Sequence, residues 1–432
     1  MLKVKGRSLF QFFVIALQFV LFTTAHALPF SVVPYGQLPT TVPIGGQVSA
    51  VYTVTNNTRT QRNNNVVKWL PPHTTVTTSG CGSQFNLAPN ARCLLNLNIT
   101  GPINANIADP EHHLFICFPG GKTCAGTANP LNVAVTPRQQ YAYIANNNEN
   151  TVSICKANSG NTLSNCHTQT DPSFTRPADV ILNSDATLAY VANSGSGKIS
   201  ICRVNANNGL LNNCQLSDLI YSAEGYPGLQ IINHYLYASD YWASTVASCP
   251  VHADGTLGPC VQNSGNGTFV SPNGRVAFNS TGTRAYVPNY WSSNDVSICQ
   301  VNPNGTLSGC IAHVDPAIFK PIGTSMNSRG DYLYIANGAD DSHIVICPVN
   351  PNGSLGSCTA VSDPSFALGD YQLNFFVSAN QYIYIPNPNG GLSGTTLSIC
   401  PIRANGLLGL CTTNTGNDSF NGLTSAWITF DS

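Results

Sequence analysis

Two tyrosine–tryptophan pairs are the side chains best suited to contact a ligand, because they interrupt an otherwise regular repeat. Each pair follows the polar residue that ends a predicted strand, in Asp240-Tyr241-Trp242 and Asn289-Tyr290-Trp291. Scaffold residues should recur in every repeat, whereas ligand-binding residues need not. Aromatic rings beside carboxylates and amides can stack on a sugar ring or a peptide, although loop-against-loop packing would also use such rings. We predict a ligand-binding site formed by Asp240, Tyr241, Trp242, Tyr290, Trp291, Asp295, Asp340, Asp341 and His343.

No motif of a catalytic centre accompanies these residues. The sequence lacks a Gly-x-Ser-x-Gly nucleophile elbow, a His-Glu-x-x-His zinc motif and a glycine-rich phosphate loop. Its densest titratable cluster is Glu111-His112-His113, preceded by Asp109, and a solvated loop explains this cluster better than a metal site does. We therefore predict no catalytic residue, no metal and no cofactor.

The cysteines predict disulfide bonds across β-hairpins. Twelve of the 16 form six pairs with ten or eleven intervening residues, and turns such as Asn304-Gly305 lie at the centre of the interval. This spacing places two cysteines directly opposite each other within disulfide distance. The eleven-residue interval of Cys202/Cys214 indicates a bulge, and zinc and haem sites require other spacings. The predicted pairs are Cys155/Cys166, Cys202/Cys214, Cys249/Cys260, Cys299/Cys310, Cys347/Cys358 and Cys400/Cys411, with Cys81/Cys93 and Cys117/Cys124 in the N-terminal segment.

The first six pairs of cysteines belong to a unit that recurs six times from residue 141 onward. Each unit has a Tyr-rich strand that ends in Asn or Asp, two cysteine-bearing strands and a further strand that leads to the next unit. The first cysteines of the pairs are 47, 47, 50, 48 and 53 residues apart, close to the ~40–50 residues of a propeller blade. We predict six blades over residues 137–432, closed by the C-terminal strand 425–430 acting as the inner strand of blade one. A seventh blade would have to begin at residues 132–136, which have no cysteine pair.

The repeats resemble those of the YVTN family of bacterial β-propellers, whose name describes the tetrapeptide found here as Tyr190-Val191-Ala192-Asn193 and its equivalents. They are also similar to lactonase-type propellers. The resemblance implies a propeller fold and, from the lactonase type, histidines and acids that converge on the channel. The corresponding positions, such as Arg176-Pro177-Ala178, carry no Pro-His pair, which argues against an inherited hydrolase activity.

The N-terminal segment predicts a leader and a second domain. Residues 1–27 combine Lys3, Lys5 and Arg7 with an apolar run and the small-residue site Ala25-His26-Ala27, which is typical of a signal peptide. A retained anchor is the alternative. Residues 28–136 show the alternating strands of an all-β sandwich and look like the Hydin-related immunoglobulin-like domains of exported bacterial proteins. The predicted fold class is therefore all-β, with a small immunoglobulin-like β-sandwich before a six-bladed β-propeller.

Composition limits the partners and the compartment. Only 9% of the 432 residues are charged, and removal of the leader leaves 15 basic residues against 19 acidic ones. A nucleic-acid partner is excluded, because it would need clustered Lys and Arg to replace phosphate counterions. Sixteen cysteines fit an oxidising compartment, so we expect a secreted or periplasmic monomer with no membrane span after the leader is removed.

The function that these features favour is that of an exported, non-enzymatic binding protein. One loop face of a disulfide-linked propeller would recognise an unknown protein, peptide or glycan. Two alternatives stay open: a lactonase-like or other hydrolytic propeller enzyme that uses the channel, and a structural envelope protein. Convergent acid, His and Arg side chains in the channel would favour the enzyme, whereas an aromatic loop face would favour binding.

Overall fold

Short strands supply nearly all of the secondary structure of this protein. Its structure is a computed structural model that describes residues 28–101, 114–119, 123–127, 129, 131–136, 139–158, 162–225, 227–291, 293–338, 343–366, 374–378, 381–387, 394–421 and 423–428. The helical segments in these ranges are two 3-10 turns, Gly265–Gly267 and Gly416–Asp418. No helix within the described ranges is long and apolar enough to cross a membrane. The predicted leader, residues 1–27, lies outside the described residues.

Contacts between Cα atoms divide the chain into two compact units. The first contains the described residues of Met1–Pro39, Ser49–Asn98 and Ala108–Asn132, and the second those of Thr40–Val48, Ile99–Ile107 and Val133–Ser432. The chain before residue 140 forms the strands β1 (Phe30–Pro34), β2 (Thr41–Pro43), β3 (Gln47–Asn56), β4 (Arg62–Lys68), β5 (Thr74–Gly80), β6 (Gln84–Leu87), β7 (Arg92–Thr100), β8 (Phe115–Cys117), β9 (Cys124–Gly126) and β10 (Ala134–Thr136).

The first unit contains two four-stranded sheets, in the orders β1-β3-β7-β5 and β6-β4-β8-β9. Alternate residues of β3 and β7 are buried, as Tyr52 and Val54 are in β3 and Leu95 and Leu97 in β7. This two-residue period is expected of strands that cover a core with one face. Disulfides join Cys81 to Cys93 and Cys117 to Cys124.

The second unit contains six four-stranded antiparallel sheets among its described residues. Its strands are β11 (Tyr141–Asn146), β12 (Thr151–Ala157), β13 (Leu163–Thr170), β14 (Pro177–Leu182), β15 (Leu188–Asn193), β16 (Lys198–Val204), β17 (Leu211–Leu216), β18 (Leu229–Ile232), β19 (Tyr235–Asp240), β20 (Thr245–Pro250), β21 (Val261–Asn263), β22 (Ala277–Phe278), β23 (Arg284–Asn289), β24 (Asp295–Val301), β25 (Leu307–Val314), β26 (Pro321–Met326), β27 (Tyr332–Asn337), β28 (Ile344–Pro348), β29 (Thr359–Val361), β30 (Phe376–Val377), β31 (Tyr382–Asn387), β32 (Thr396–Pro401), β33 (Thr412–Asn414) and β34 (Leu423–Ile428).

Each sheet is built from strands that are consecutive in the chain, except the first. Sheets two to six are β14–β17, β18–β21, β22–β25, β26–β29 and β30–β33, and sheet one joins β34 to β11, β12 and β13. We call β34, β14, β18, β22, β26 and β30 the inner strands. Neighbouring inner strands contact each other in cyclic order, with the bridge Pro227↔Gly274 between sheets three and four. The strand β34 occupies Leu423–Ile428, two residues earlier than predicted, and residues 429 and 430 lie outside the described residues.

Residues 132–136, the candidate start of a seventh blade, belong elsewhere. There β10 pairs in parallel with β2 to form a separate two-stranded sheet. Ala134–Thr136 therefore contributes no strand to the six four-stranded sheets.

Each of the six sheets carries one disulfide, whose two Cα atoms lie 4.0–4.2 Å apart. The first cysteine of each bond is fully buried in the third strand of its sheet, whereas the second is half-buried. The bonds join Cys155 to Cys166, Cys202 to Cys214, Cys249 to Cys260, Cys299 to Cys310, Cys347 to Cys358 and Cys400 to Cys411.

The prediction that every second cysteine lies on a strand is wrong for three of the six sheets. Cys166, Cys214 and Cys310 lie within β13, β17 and β25. In sheets three, five and six the second cysteine instead lies one residue before the last strand; these residues are Cys260, Cys358 and Cys411.

A proline accounts for this difference. In those three sheets the first cysteine is followed by proline, as Cys249 is by Pro250, and proline has no N–H group to donate to the ladder. The neighbouring hairpin strand therefore starts only after the second cysteine. In the other three sheets the residue after the first cysteine does pair, as Lys156 pairs with Ser164.

The prediction that paired cysteines lie directly opposite each other is wrong for sheets one, two and four, because a bulge interrupts the ladder at the disulfide there. The bulge that we predicted only for the Cys202–Cys214 hairpin also occurs in sheets one and four. In all three, one extra residue with positive φ precedes the second cysteine, namely Asn165, Asn213 or Gly309. The register therefore skips the first cysteine, and Cys166, Cys214 and Cys310 are not its ladder partners.

The additional residue of the Cys202–Cys214 interval lengthens the turn of sheet two rather than its bulge. Val204 pairs with Leu211 there, whereas in sheet four Val301 pairs with Leu307. The turn of sheet two thus contains one residue more.

A buried tyrosine ties each of sheets one to five to the next one. The phenol of Tyr237 in sheet three donates to the carbonyl of Gly305, in the turn of sheet four, at 2.8 Å. Gly305 has φ +77°, and a Cβ there would lie 2.3 Å from the ring of Tyr235, so the turn requires glycine. Equivalent hydrogen bonds of 2.8–2.9 Å join Tyr143 to Gly209, Tyr190 to Gly255, Tyr286 to Gly353 and Tyr334 to Gly406.

We predict that Tyr237→Phe lowers the free energy of unfolding by about 1–2 kcal/mol, because it leaves the buried carbonyl of Gly305 without its donor. Tyr235→Phe is the matched control: its ring covers the same glycine, and the structure records no hydrogen bond from its phenol to the described residues. Denaturant unfolding with the disulfides intact measures both. Equal stabilities for the two variants would contradict a role for the inter-sheet hydrogen bond.

Candidate functional site

A buried ion pair spans the interior of the ring of inner strands. Arg275 precedes β22, and its guanidinium donates to both carboxylate oxygens of Asp179 in β14, at 2.9 Å from Nε and 2.5 Å from Nη2. The two side chains are only 3% and 0% exposed. Sheets two and four are therefore joined directly although sheet three lies between them in the ring.

Val180 of β14 contributes two of the remaining polar contacts of this pair, and other inner strands contribute the rest of those described here. Arg275 Nη1 donates to the carbonyl of Phe375 at 3.1 Å, and the backbone N–H of Leu229 donates to Asp179 Oδ2 at 2.8 Å. Asn374 donates to the carbonyls of Ala178 and Pro227. We call this set of contacts the central network; it connects the inner edges of sheets two, three, four and six.

Burial raises the pKa of Asp179 above its ordinary value, and the Arg275 guanidinium and two backbone N–H groups oppose that rise. Both members of the pair are fully engaged with protein groups. An acid and an arginine thus do converge in the interior, as an enzyme would require, but they contact each other and not an open space.

A cavity of about 230 Å³ lies on one side of the central network; we call it the channel cavity. Among the residues described as lining it, Arg275 is the only ionisable one, and the wall contains no carboxylate and no histidine. General acid–base catalysis needs a titratable group near its operating pH. The wall is formed by Gln230, Ile232, Arg275, Val276, Ala277, Phe278, Asn279, Ser280, Thr324, Ser325, Met326, Asn327, Ser328, Phe376 and Val377.

The two Tyr-Trp pairs lie in loops of sheets three and four that are in contact. The ring centroids of Trp242 and Tyr241 are 4.8 Å apart, those of Tyr241 and Tyr290 6.0 Å, and those of Tyr290 and Trp291 6.1 Å. Trp242 is 64% exposed and Trp291 59%, whereas Tyr290 is buried against Ile322 and its neighbours. The tyrosines therefore support the loops from below and the tryptophans face solvent.

Two further residues that the sequence analysis missed extend this surface. Phe319 is 41% exposed, and the ammonium of Lys320 lies 5.7 Å from the Phe319 ring centroid and 6.0 Å from that of Tyr290. Both belong to the link that leads into β26. The sequence contains one signal that could have located them. Lys320-Pro321 occupies the same position in its repeat as Arg176-Pro177, at the start of an inner strand. We call Trp242, Trp291, Phe319, Lys320 and Tyr241 the aromatic patch.

Two of the predicted carboxylates are part of the scaffold. Asp240 is 3% exposed and accepts hydrogen bonds from the backbone N–H groups of Ser222 at 2.8 Å and Ala243 at 3.1 Å. Asp295 is 6% exposed and accepts from Asn289 Nδ2 at 2.6 Å, and burial raises its pKa. Each carboxylate thus satisfies polar groups of the scaffold around it.

The equivalent asparagines act as Asp240 does. The side-chain oxygens of Asn193, Asn289 and Asn337 accept from backbone N–H groups of the preceding links, at 2.9, 3.0 and 3.1 Å. They thus fix the links between sheets.

Other candidate residues are not brought to the patch by the described contacts. The backbone carbonyl of His343, just before β28, accepts from Asn337. Asp340 and Asp341, like Asp109 and Glu111-His112-His113, lie outside the described residues. His313, Asp315 and Cys358 approach one another, but the Cys358 sulfur is bonded to Cys347 and both Asp315 oxygens accept backbone N–H groups. That group therefore has a structural explanation.

Part of the second unit matches a known family. A family model described as lactonase, 7-bladed beta-propeller, matches residues 113–223. The fold of the second unit is that of a β-propeller. The matched segment covers about a quarter of the chain; it contains β8 to β17, so it includes neither β34 nor any strand of sheets three to six. No curated protein matches the chain.

Solved structures resemble the chain at low identity. A putative 6-phosphogluconolactonase from Bacteroides uniformis is 15% identical over 68% of this chain and 100% of its own, with a TM-score of 0.49. A putative 6-phosphogluconolactonase from Bacteroides fragilis is 15% identical over 68% of this chain and 98% of its own, with a TM-score of 0.49. A chain of a nidogen/laminin complex is 11% identical over 68% of this chain and 99% of its own, with a TM-score of 0.50. At these identities the likeness concerns the fold and not the activity.

We predict that Arg275→Met lowers the free energy of unfolding by about 3–5 kcal/mol near neutral pH, because Asp179 is left buried without its counter-charge. The variant should bind a proton at Asp179 up to a higher pH in the folded state than in the unfolded chain. Its stability should therefore fall as the pH rises. Denaturant unfolding at pH 5 and pH 8 measures this slope.

The control is the double variant Asp179→Leu with Arg275→Met, which removes both charges. Most of the lost stability should return, and the additional pH dependence should disappear. An Arg275→Met protein that is equally stable at both pH values would argue against an uncompensated carboxylate at residue 179.

Proposed function

We propose that this protein is an exported, non-enzymatic carbohydrate-binding β-propeller that uses the aromatic patch as its binding surface. The observation that carries the proposal is the pair of exposed tryptophans on adjacent loops, linked through the contacting rings of Tyr241 and Tyr290. Large exposed rings held in fixed positions suit the apolar faces of sugar rings. Supported by buried neighbours, they lose little conformational freedom on binding.

The chemistry of the patch favours a glycan over a peptide. Asp240 and Asp295 are engaged within their loops, so the described part of the patch offers rings and the Lys320 ammonium but few hydrogen-bond acceptors. An extended peptide would need acceptors for its backbone N–H groups. Sugars can stack their apolar faces on exposed aromatic rings, and the two tryptophans present such rings to solvent.

Export is supported by the disulfides. Eight bonds pair all 16 cysteines, and such a density persists in oxidising compartments. Together with the leader proposed for residues 1–27, this favours a secreted or periplasmic protein. We further propose that the six sheets are six blades and that residues 28–136 form an immunoglobulin-like module.

We predict that Trp242→Ala combined with Trp291→Ala weakens glycan binding at least tenfold, since central aromatic anchors each contribute about 1–2 kcal/mol or more. A glycan array identifies ligands of the mature protein, and titration calorimetry with the best oligosaccharide measures the change. Trp69→Ala is the matched control, because Trp69 is 53% exposed but belongs to the first unit.

Unchanged glycan binding in the double variant would place the site elsewhere. Binding of peptides but not of glycans, lost in the same variant, would retain the surface and replace the ligand class. If neither glycans nor peptides bind, the result favours the alternative that this is a structural envelope protein.

The alternative function is hydrolysis in the channel, which the similarity of residues 113–223 to lactonase-type propellers favours. The engagement of Asp179 by Arg275, and a described cavity wall with neither a carboxylate nor a histidine, argue against it. Lactone hydrolysis that survives the double tryptophan substitution would support this alternative and contradict the proposal.

A further inference from the structure

We propose that the channel cavity is a second binding site, specific for a neutral sugar or cyclic polyol of monosaccharide size. The site is independent of the aromatic patch. Its volume, about 230 Å³, is below the roughly 300–1,000 Å³ of pockets that hold drug-sized ligands. One small ring molecule is therefore the largest occupant that it can enclose.

The cavity and the aromatic patch lie at opposite ends of the inner strands. Ala277 and Phe278, which line the cavity, pair with Tyr286 and Ala285 in the first half of β23. Trp291 lies beyond Asn289, the last residue of that same strand. A ligand in the cavity therefore cannot contact the tryptophans of the patch.

The wall has hydrogen-bonding capacity that the protein leaves unused. The side chain of Gln230 makes one long hydrogen bond, 3.4 Å, to the carbonyl of Ile231. The hydroxyl oxygens of Ser325 and Ser328 accept from Val377 N and Gln381 Nε2, which leaves their own hydrogens available to donate. The wall thus offers both donors and acceptors, as a polyol requires.

Apolar surface completes the complementarity to a sugar. Phe278, Met326 and Phe376 line the cavity beside these polar groups. A pyranose presents C–H groups on its faces and hydroxyls around its edge, so it matches a wall that alternates rings with amides and hydroxyls.

The charge of the wall selects a neutral ligand. Arg275 supplies the only charge among the described lining residues, and Asp179 neutralises it. A carboxylate or phosphate in the cavity would lose hydration without gaining a free counter-charge, which is unfavourable.

The test uses the mature protein and a fixed set of probes: glucose, galactose, mannose, fucose and myo-inositol, with glucuronate as the charged counterpart of glucose. Saturation-transfer NMR detects binding, and titration calorimetry measures affinity. We expect at least one neutral probe to bind with a Kd on the order of 1 mM or tighter. Glucuronate should bind at least about tenfold more weakly than glucose, or not at all.

Two variants locate the site. Gln230→Leu keeps the side-chain size but removes the amide, and Ser280→Trp fills the rim from an exposed position. Both should weaken the binding of the neutral probe at least tenfold. Ser184→Trp, an exposed serine in the equivalent hairpin of sheet two, is the matched control, and the double variant of Trp242 and Trp291 should also bind the probe normally.

Each opposite result overturns the inference: no neutral probe binds, glucuronate binds as well as glucose, or the two cavity variants bind normally. Loss of binding only in the tryptophan double variant would assign the monosaccharide to the aromatic patch. Melting temperatures of all variants distinguish loss of a site from loss of the fold, and Gln230→Leu, which adds no bulk, provides the test if Ser280→Trp unfolds.

Discussion

The ion pair between Asp179 and Arg275 is the interaction on which the interior of the ring depends. It joins inner strands of sheets that are not neighbours, while its remaining hydrogen bonds reach Leu229 and the carbonyl of Phe375. Two buried charges are stable there only because each is satisfied by the other and by backbone groups. Because Asp179 and Arg275 bind each other, neither side chain is available for catalysis in the channel. Recognition is therefore left to groups at the two ends of the inner strands.

Around this centre, local contacts hold the sheets in order. Within each sheet a disulfide constrains the outer hairpin, and between sheets a buried phenol reaches a glycine of the next turn, as Tyr237 reaches Gly305. In sheets two to five, the polar residue at the end of the Tyr-rich strand fixes the link that precedes it. A chain with 9% charged residues thus uses amides, phenols and cystines where other proteins use surface ion pairs. This scaffold holds the loops of sheets three and four so that Trp242 and Trp291 remain at the surface.

The sequence predicted those features that repeat or that depend on short separations. Cysteine spacing and the six Tyr-rich strands are of this kind, because a hairpin brings together residues only about a dozen positions apart. The contact between Asp179 and Arg275 spans 96 residues and occurs once, so no periodicity reveals it. Asp240 was assigned to a ligand, yet it occupies the position of the recurring asparagines, which indicates a scaffold role. Phe319 and Lys320 were missed because they lie in a link, and only the packing of that link against Tyr290 brings them to the patch.

The central claim is that an oligosaccharide binds on the loops of sheets three and four and not at the buried ion pair of Asp179 and Arg275, whereas the channel cavity encloses at most one monosaccharide. Hydrogen–deuterium exchange of the mature protein, with and without its best array glycan, tests this claim most directly. The account predicts slower exchange at residues 240–246 and 289–295 and in the link 317–320, with β14 and β22 unchanged. Protection confined to the inner strands around Asp179 and Arg275, with the two tryptophan loops unaffected, would contradict it.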